Sequence, residues 1–587
     1  MTSRLSDIVD NSAFFETLYR KHSFLNVVSL ILSVIGPLVC TILIGKKYGA
    51  AGLSAVAVCS PLFFLGAFLG TILSGGGNVL VSQAVARRED TEANRIYSAT
   101  WILGVCGGVA IFSLLLLFED QVMLFLSAGQ RLDIMGYYRW MLVMAFLTIL
   151  QWIPLNFCRL AGRPNVGPLM TGIMAVCTVA FALKFADTMG LAGVAFGQAL
   201  ACLCSLLIAV ILMHGGLLRF RFTKRLRIRA ILANGSPFGM ERLYMMISIY
   251  IMNIIFHLSG GHIALAVYGV IQTLHRFMTA FISGAAQTIL PVAGMLNAER
   301  DVVSLGKFLK HAAISGNVIV VAASVMLIAF RGHLAALFGL TGNADTALFR
   351  YAIVFYAAYA VILQNTTVFA AWFNASGRLK FANLLLFLQE LFLLCLLAVL
   401  FGAFFGARTV WVSFPVSGAL SILALVIILF VIRRRNKRLV YPFLLDPSAV
   451  LAGNDLSFSV SNDLADASKA SERISVFCED SGLTKKQTML ISLSVEEFII
   501  LIINNNDSAS SLGISCRLTL GKDDITMRIR SRGRMFDPLA YYKEHISGDI
   551  ERSVEVIGLK YIGENAKVID YRETFGVNNL LITIGRN

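Results

Sequence analysis

Charge is the first thing this chain lacks: Asp, Glu, Lys and Arg make up 14% of its 587 residues, against 57% hydrophobic. Soluble domains carry about a quarter charged residues, so a water-soluble globular fold is excluded. It also lacks a cysteine framework. Cys40, Cys59, Cys106, Cys158, Cys177, Cys202, Cys204 and Cys395 fall in apolar segments and Cys478 and Cys516 near the C-terminal end. No pair is spaced as metal ligands or as a disulfide of an external loop, so they read as reduced packing residues. A nucleic-acid footprint is missing despite a net charge of +15, because the cations sit in short loops between apolar runs, which is a topology signal. No cleavable signal peptide is evident, since the first residues are polar and the first apolar run is long enough to span.

What is present is organised around residues 431–438, where a long apolar run stops against Arg433, Arg434, Arg435, Lys437 and Arg438. Cations placed directly after a hydrophobic span mark the cytoplasmic side. Everything before them reads as membrane and everything after as a soluble domain. Apolar runs of about twenty residues, enough to cross the hydrocarbon layer, recur about twelve times. They lie near 24–45, 52–85, 96–118, 134–156, 167–186, 191–213, 238–259, 263–292, 308–330, 348–373, 382–405 and 409–432. With the N-terminus inside, the cytoplasmic loops collect clusters such as Arg87, Arg88 and Arg95, or Arg219, Arg221, Lys224, Arg225, Arg227 and Arg229. The alternate loops carry far fewer, which predicts an even number of spans and both termini in the cytoplasm. Lys184 and Asp187, three residues apart near the outer end of the fifth span, are expected to pair at the interface.

An internal repeat is visible. Residues 72–75 (Ile-Leu-Ser-Gly) precede the polar turn Arg87-Arg88-Glu89-Asp90, and residues 281–284 (Phe-Ile-Ser-Gly) precede Asn297-Ala298-Glu299-Arg300-Asp301. Ala161-Gly162-Arg163-Pro164-Asn165 has its counterpart in Ser376-Gly377-Arg378-Leu379-Lys380. Two halves of six spans in the same orientation should be related by an axis along the membrane normal, with a cavity between them.

This arrangement, with Ser74-Gly-Gly-Gly-Asn-Val-Leu-Val-Ser-Gln83 leading to a charged turn, resembles the multidrug and toxic compound extrusion (MATE) transporters over roughly residues 13 to 438. The resemblance implies alternating access and expulsion of a small organic molecule in exchange for sodium or protons. The family's frequent acids in the first and fifth spans would fall near Cys40 and Ala180, neither of them acidic. A coupled carrier needs a titratable or cation-binding group inside the membrane. Glu241, beside Arg242 and in a span containing Asn253, is the first candidate for a coupling carboxylate; the competing reading, slightly favoured, is a residue of the cytoplasmic helix end paired to Arg242 or anchored at headgroups. His275 with Arg276 and the mid-span Glu390 are the others, each also readable as a hydrogen-bonded core group. Gln272, Gln364 and Asn365 read as cavity lining or as interhelical hydrogen bonds.

After a linker at residues 439–454, alternating and helical patterns place strands at 456–460, 516–520, 525–530, 567–571 and 579–584 and helices at 464–480, 485–504 and 554–565. That order is a small two-layer α+β sandwich. Three stretches around Glu497, around Gly533 to Asp537, and at Gly558 resemble the boxes of histidine-kinase-type ATPases, closest to anti-sigma-factor kinases. The resemblance implies Glu497 as the activating carboxylate. The magnesium-holding amide one turn later falls at Leu501, and Asn504 and Asn505 lie about 10 Å along the helix from Glu497. Ser531 stands where an adenine-reading aspartate is expected, and Met535 and Lys560 where glycines are expected. Glu497, Asn504, Asn505, Gly533, Asp537 and Gly558 are therefore a vestigial nucleotide set, and bound ATP and magnesium are not expected.

The fold expected is an α-helical membrane protein of two six-helix lobes followed by the ATPase-like sandwich. The domains are residues 1–23 (cytoplasmic segment), 24–213 (N-lobe), 214–235 (connector), 236–438 (C-lobe), 439–454 (linker) and 455–587. The function expected is ion-coupled export, not catalysis, from the cell (inner) membrane. The tail would be regulatory, with a cytoplasmic protein as its partner and no nucleic acid or metal. A membrane sensor on a transporter scaffold and a lipid-linked substrate flippase stay open as alternatives; the flippase would need buried cations, of which the span interiors offer mainly Arg139, Arg242 and Arg276.

Overall fold

The computed structural model describes residues 12–86, 89–127, 134–158, 160–163, 165–216, 218–221, 223, 226–406, 408–440, 442–445, 455–460, 463–506, 513–521, 523–532, 537, 565–574 and 577–586. They divide into two units. One holds residues 22–294 and 312–431, and the other the described parts of 1–21, 295–311 and 432–587.

The first unit is helical. The chain runs through α1 (Ser12–Ala86), α2 (Asp90–Leu117), α3 (Glu119–Leu126), α4 (Met135–Phe157), α5 (Val166–Thr188) and α6 (Gly190–Met213), with residues 12–21, 295–311 and 432–435 of the helical region belonging to the second unit. It continues through α7 (Ile228–Ala298), α8 (Val302–Ala329), α9 (Arg331–Leu337), α10 (Asn343–Ala375), α11 (Leu379–Phe387), α12 (Leu393–Phe405) and α13 (Ser413–Arg435). A helix satisfies every backbone N–H and C=O within itself, which is why these apolar runs adopt no other form.

Among the described residues, eleven helices are long and apolar enough to cross a membrane, ten of them between Phe14 and Arg435. Two of the ten, Phe14–Val85 and Gly239–Asn297, are far longer than the hydrocarbon layer is thick. Each is broken at a glycine: Gly49 at φ 58°, ψ −148° and Gly261 at φ 64°, ψ −154°. Side chains other than glycine's rarely tolerate those angles. The ten helices thus offer twelve segments long and apolar enough to cross, among the described residues. The eleventh, Lys485–Asn504, packs on a β-sheet in the second unit.

Gly49 and Gly261 are 212 residues apart, and the same spacing separates the starts of α3 and α9, short helices that the hydropathy pattern does not predict. The duplication extends to packing. One core is built mainly from the first half and one from the second, yet Leu53 joins the second core and Leu265 the first. Each half thus lends the other a leucine from just beyond its helix break. Outward-facing Leu117, Phe404 and Val176 are more than 70% exposed, a large apolar surface suited to lipid.

The halves also meet where backbones nearly touch. A Cβ on Gly76 would lie 1.9 Å from the Ile231 carbonyl oxygen, and one on Gly235 would lie 1.9 Å from that of Ile72. Small residues at such a crossing let helices close to van der Waals contact.

Two expectations, those for Lys184 and Arg139, are corrected, and helices extend into two of the expected segments. Helix α1 starts at Ser12, inside the segment assigned to residues 1–23, and α7 starts at Ile228, so the last eight residues of the connector 214–235 are helical. Lys184 does not pair with Asp187. Asp187 bonds Lys47 instead, while the Lys184 ammonium lies 5.7 Å from the Phe185 ring; helical spacing allows the first pair, but another helix presents a nearer cation. Arg139 is no interior cation: it is exposed at the start of α4 and grips Glu119 of α3 at 2.6 and 2.8 Å.

In the second unit the strands are β1 (Asp455–Val460), β2 (Ile514–Leu520), β3 (Asp524–Ser531), β4 (Ala566–Thr574) and β5 (Val577–Gly585). They form one antiparallel sheet in the order β1-β2-β3-β5-β4. Helices α14 (Leu464–Asp480) and α15 (Lys485–Asn504) cover one face over Ile514, Cys516, Leu518, Met527, Ile529 and Ile582. Asp463 caps α14 by accepting from the Ala465 N–H, and Thr484 and Gln487 form a reciprocal capping box on α15. The helix expected at 554–565 lies outside the described residues apart from Asn565, as do Gly533 and Gly558.

Replacing Gly76 or Gly235 by Val should overpack this crossing and destabilise the protein by about 1–3 kcal/mol or more. The thermal midpoint in detergent should fall, whereas Gly172→Val, at a position with open space around its Cβ, should leave it unchanged.

Candidate functional site

The second half holds a partly open cavity of about 50 Å³ lined by residues of α7, α10, α12 and α13, by the turn carrying Glu390, and by Phe64 from α1. Four of the sequence-derived candidates line it: Gln272, His275, Arg276 and Glu390. Glu390 reaches it because α11 and α12 are joined by a π-helical turn, Leu388–Phe392. A wider turn of this kind shifts the side-chain register within an otherwise continuous helix and is common at functional positions.

Around the carboxylate the wall is aromatic and polar. The Tyr356 hydroxyl lies 3.3 Å from His275 Nδ1. Ser60 of the first half donates to Gln272 Oε1 at 3.0 Å. The Arg276 guanidinium is stacked over Phe63 and Phe64 at 5.3 and 5.4 Å, and its Nε has no hydrogen-bond partner. Stacking on two rings shelters a cation without neutralising it. No ion pair joins Arg276 to Glu390. A buried carboxylate without an ion pair is costly to keep charged, which favours a bound proton or cation there.

The remaining candidates lie elsewhere. Glu241 is exposed and outside the cavity lining, and the Arg242 guanidinium approaches the Met245 sulfur at 3.7 Å. Asn253 donates to the Ala57 carbonyl at 2.7 Å, a tie between the halves. Asn365 and Asn317 form a reciprocal amide pair at 2.9 and 3.0 Å. Gln364 is fully buried. Tyr268, Tyr356 and Tyr359, which line the cavity, are absent from the sequence-derived set; tyrosines three residues apart in an otherwise apolar span were the available signal.

In the second unit Glu497 lies on α15 with the partly buried Leu501 one turn later. The nearby amides serve their own helix: Asn505 donates to the Leu501 carbonyl at 2.9 Å and Asn506 to that of Ile502 at 2.7 Å. Asn504 is exposed. Ser531 is buried at the end of β3, its hydroxyl 3.4 Å from the Asn578 amide. Asp537 is described only as a single residue between undescribed neighbours. Among the described residues, no three His, Cys, Asp or Glu side chains are grouped to hold a metal ion.

Comparison with known proteins agrees with this architecture. The MatE family model matches residues 26–184. The multidrug export protein MepA of Staphylococcus saprophyticus is 23% identical over 421 residues, covering 69% of this chain and 91% of that protein. Among solved structures, an inward-facing multidrug resistance MATE transporter of the MOP superfamily superposes with a TM-score of 0.62 at 19% identity, covering 68% of this chain and 96% of that one. A MOP superfamily transporter from Pyrococcus furiosus, described as having a binding pocket of reversed polarity, gives 0.58 at 19% identity over 70% and 94%. The membrane part of this chain therefore has the MATE transporter fold.

Proposed function

We propose that this chain is a secondary exporter of small organic compounds in the cell membrane, driven by sodium or proton entry, with both termini cytoplasmic. The observation that carries the reading is Glu390, a carboxylate lining a cavity of the second half, whereas the resemblance to related carriers would put first-half acids near Cys40 and Ala180. A space of about 50 Å³ suits a few waters or an ion. Glu390 is thus assigned to coupling, and the substrate to the space between the halves. Protonation, or a sodium ion held by Glu390 with the oxygens of Gln272, Tyr356 and Tyr359, would remove the cost of the buried charge. That difference between loaded and empty states is what a coupled carrier uses to bias its two conformations.

The missing first-half acids favour a second reading, a membrane sensor whose halves respond to a ligand without net transport. A lipid-linked flippase is disfavoured, because Arg139 is spent at the helix ends and Arg276 is already stacked on two rings. The sandwich of the second unit is read as a degenerate ATPase fold with a regulatory role.

In proteoliposomes carrying an imposed sodium or proton gradient, Glu390→Gln should lower gradient-driven efflux of a cationic dye by about tenfold or more. Glu241→Gln should have a smaller effect, and absence of gradient-driven efflux from the native chain would leave the sensor reading. Titration calorimetry of the full-length protein with ATP and magnesium should show no magnesium-dependent binding in the micromolar range; such binding would restore an active nucleotide site.

A further inference from the structure

The second unit contains a charge cluster unrelated to either candidate site. Arg517 of β2 and Arg528 of β3 are directly opposed in register, and Arg530 follows two residues on, so three guanidinium groups share the sheet face that α14 and α15 leave uncovered. Like charges so placed repel one another. Most of their partners come from outside the sheet: the α7–α8 turn supplies Glu299 and Asp301, while the sheet's own edge strand β1 supplies Asp455.

Glu299 grips Arg528 with one oxygen and Arg530 with the other. Arg517 donates to the backbone carbonyls of Glu299 and Arg300 at 2.9 and 3.0 Å and to Asp455 at 2.9 Å. Asp301 stands 3.7 Å from Arg530 and 3.9 Å from Arg517, and also caps α8 by accepting from the Ser304 N–H. Arg300 is held at φ 55°, a left-handed angle that non-glycine residues adopt only when their surroundings impose it. Burial draws the Arg530 pKa down to about 10, still high enough for a charged guanidinium at neutral pH. Arg530 and Asp301 are 1% and 3% exposed, so water cannot replace a lost partner.

A second segment meets the same face. Arg530 lies over the Phe15 ring and Arg532 over the Phe14 ring, both at 5.3 Å. Tyr19 packs edge-on against Phe308 and His311 at the start of α8, and Glu16 is 3.7 Å from His311. Phe14, Phe15 and Tyr19 belong to α1, which continues into the first half; Glu299 and Asp301 lie where α7 gives way to α8, in the second half.

We propose that the sheet's arginine face is a brace whose ligands are the α7–α8 turn and the start of α1, so that the C-terminal domain holds one arrangement of the two halves. This rests on the reading of the chain as a carrier with two conformations. The brace requires that motion of one half against the other change the separation of those two segments. A unit that grips both is therefore intact in only one arrangement and favours it by its differential contacts.

The test is hydrogen–deuterium exchange on the full-length protein in lipid nanodiscs. Glu299→Gln with Asp301→Asn should raise amide exchange in residues 514–531 and 295–311 by about tenfold or more, as expected when buried charges lose their partners. Peptides at the crossing of the halves, residues 70–80 and 230–240, should exchange faster as well. Reversing one pair, Glu299→Arg with Arg530→Glu, should restore part of the protection at both places. Lys567→Gln, which breaks an exposed pair with Asp524 on the same sheet, should change neither. Unaltered exchange at 295–311 and 514–531 would remove the clamp, and an opened clamp with an unaltered crossing would remove its hold on the halves. Because exchange does not depend on efflux, a native chain that fails to transport would count against the carrier reading alone.

Discussion

Lipid gives a backbone nothing to bond to, and that constraint determines where this chain can bend. A crossing helix satisfies its own N–H and C=O groups, so the two overlong helices need a residue that can reverse direction at small steric cost. Gly49 and Gly261 supply it at nearly the same dihedral angles. Leu53 and Leu265, four residues beyond each break, then reach into the opposite core. The duplication is therefore more than a repeated set of spans: each half is completed by a residue of the other. Tight backbone crossings such as Gly76 with Gly235 follow from the same logic, since the halves gain no hydrophobic effect from meeting in lipid and depend on close packing instead.

The C-terminal domain solves a different problem. It lives by alternation, with one sheet face and two amphipathic helices burying a mixed core. The other face carries arginines instead of the uncharged polar residues that water would accept. Those arginines are tolerated because carboxylates and two phenylalanine rings come to meet them. Breaking one partner of such a buried set is costly even where forming the set contributes little. The cluster is therefore better suited to specifying one arrangement than to adding stability.

Much of this was legible in the residues. Hydropathy and loop charge located the spans because a crossing helix needs a minimum apolar length. The tail helices at 464–480 and 485–504 coincide with the observed ones because their caps, Asp463 and Thr484, are local signals. The short α3 and α9 were illegible, being too brief for hydropathy to resolve. Lys47 with Asp187 and Glu299 with Arg530 were illegible for a different reason: they join residues 140 and 231 positions apart, and no local pattern reports such a meeting. Of the candidate site, Glu390 could be singled out as a mid-span charge. Its tyrosine and histidine neighbours come from other helices, and the π turn that carries it has no sequence signature.

The asymmetry between the halves has a mechanistic consequence. Backbone breaks and core exchange are duplicated, yet the cavity carboxylate Glu390 lies in the second half. If coupling acts through Glu390, ion occupancy changes the energy of the second half directly and of the first only through shared contacts. Span residues 57 to 64 of the first half provide those contacts: Ala57 accepts from Asn253, Ser60 donates to Gln272, and Phe63 and Phe64 cover Arg276. Loading one buried group can therefore alter the fit of both halves without a second ion site, because first-half residues 57 to 64 bond and cover side chains of the cavity wall and its neighbours.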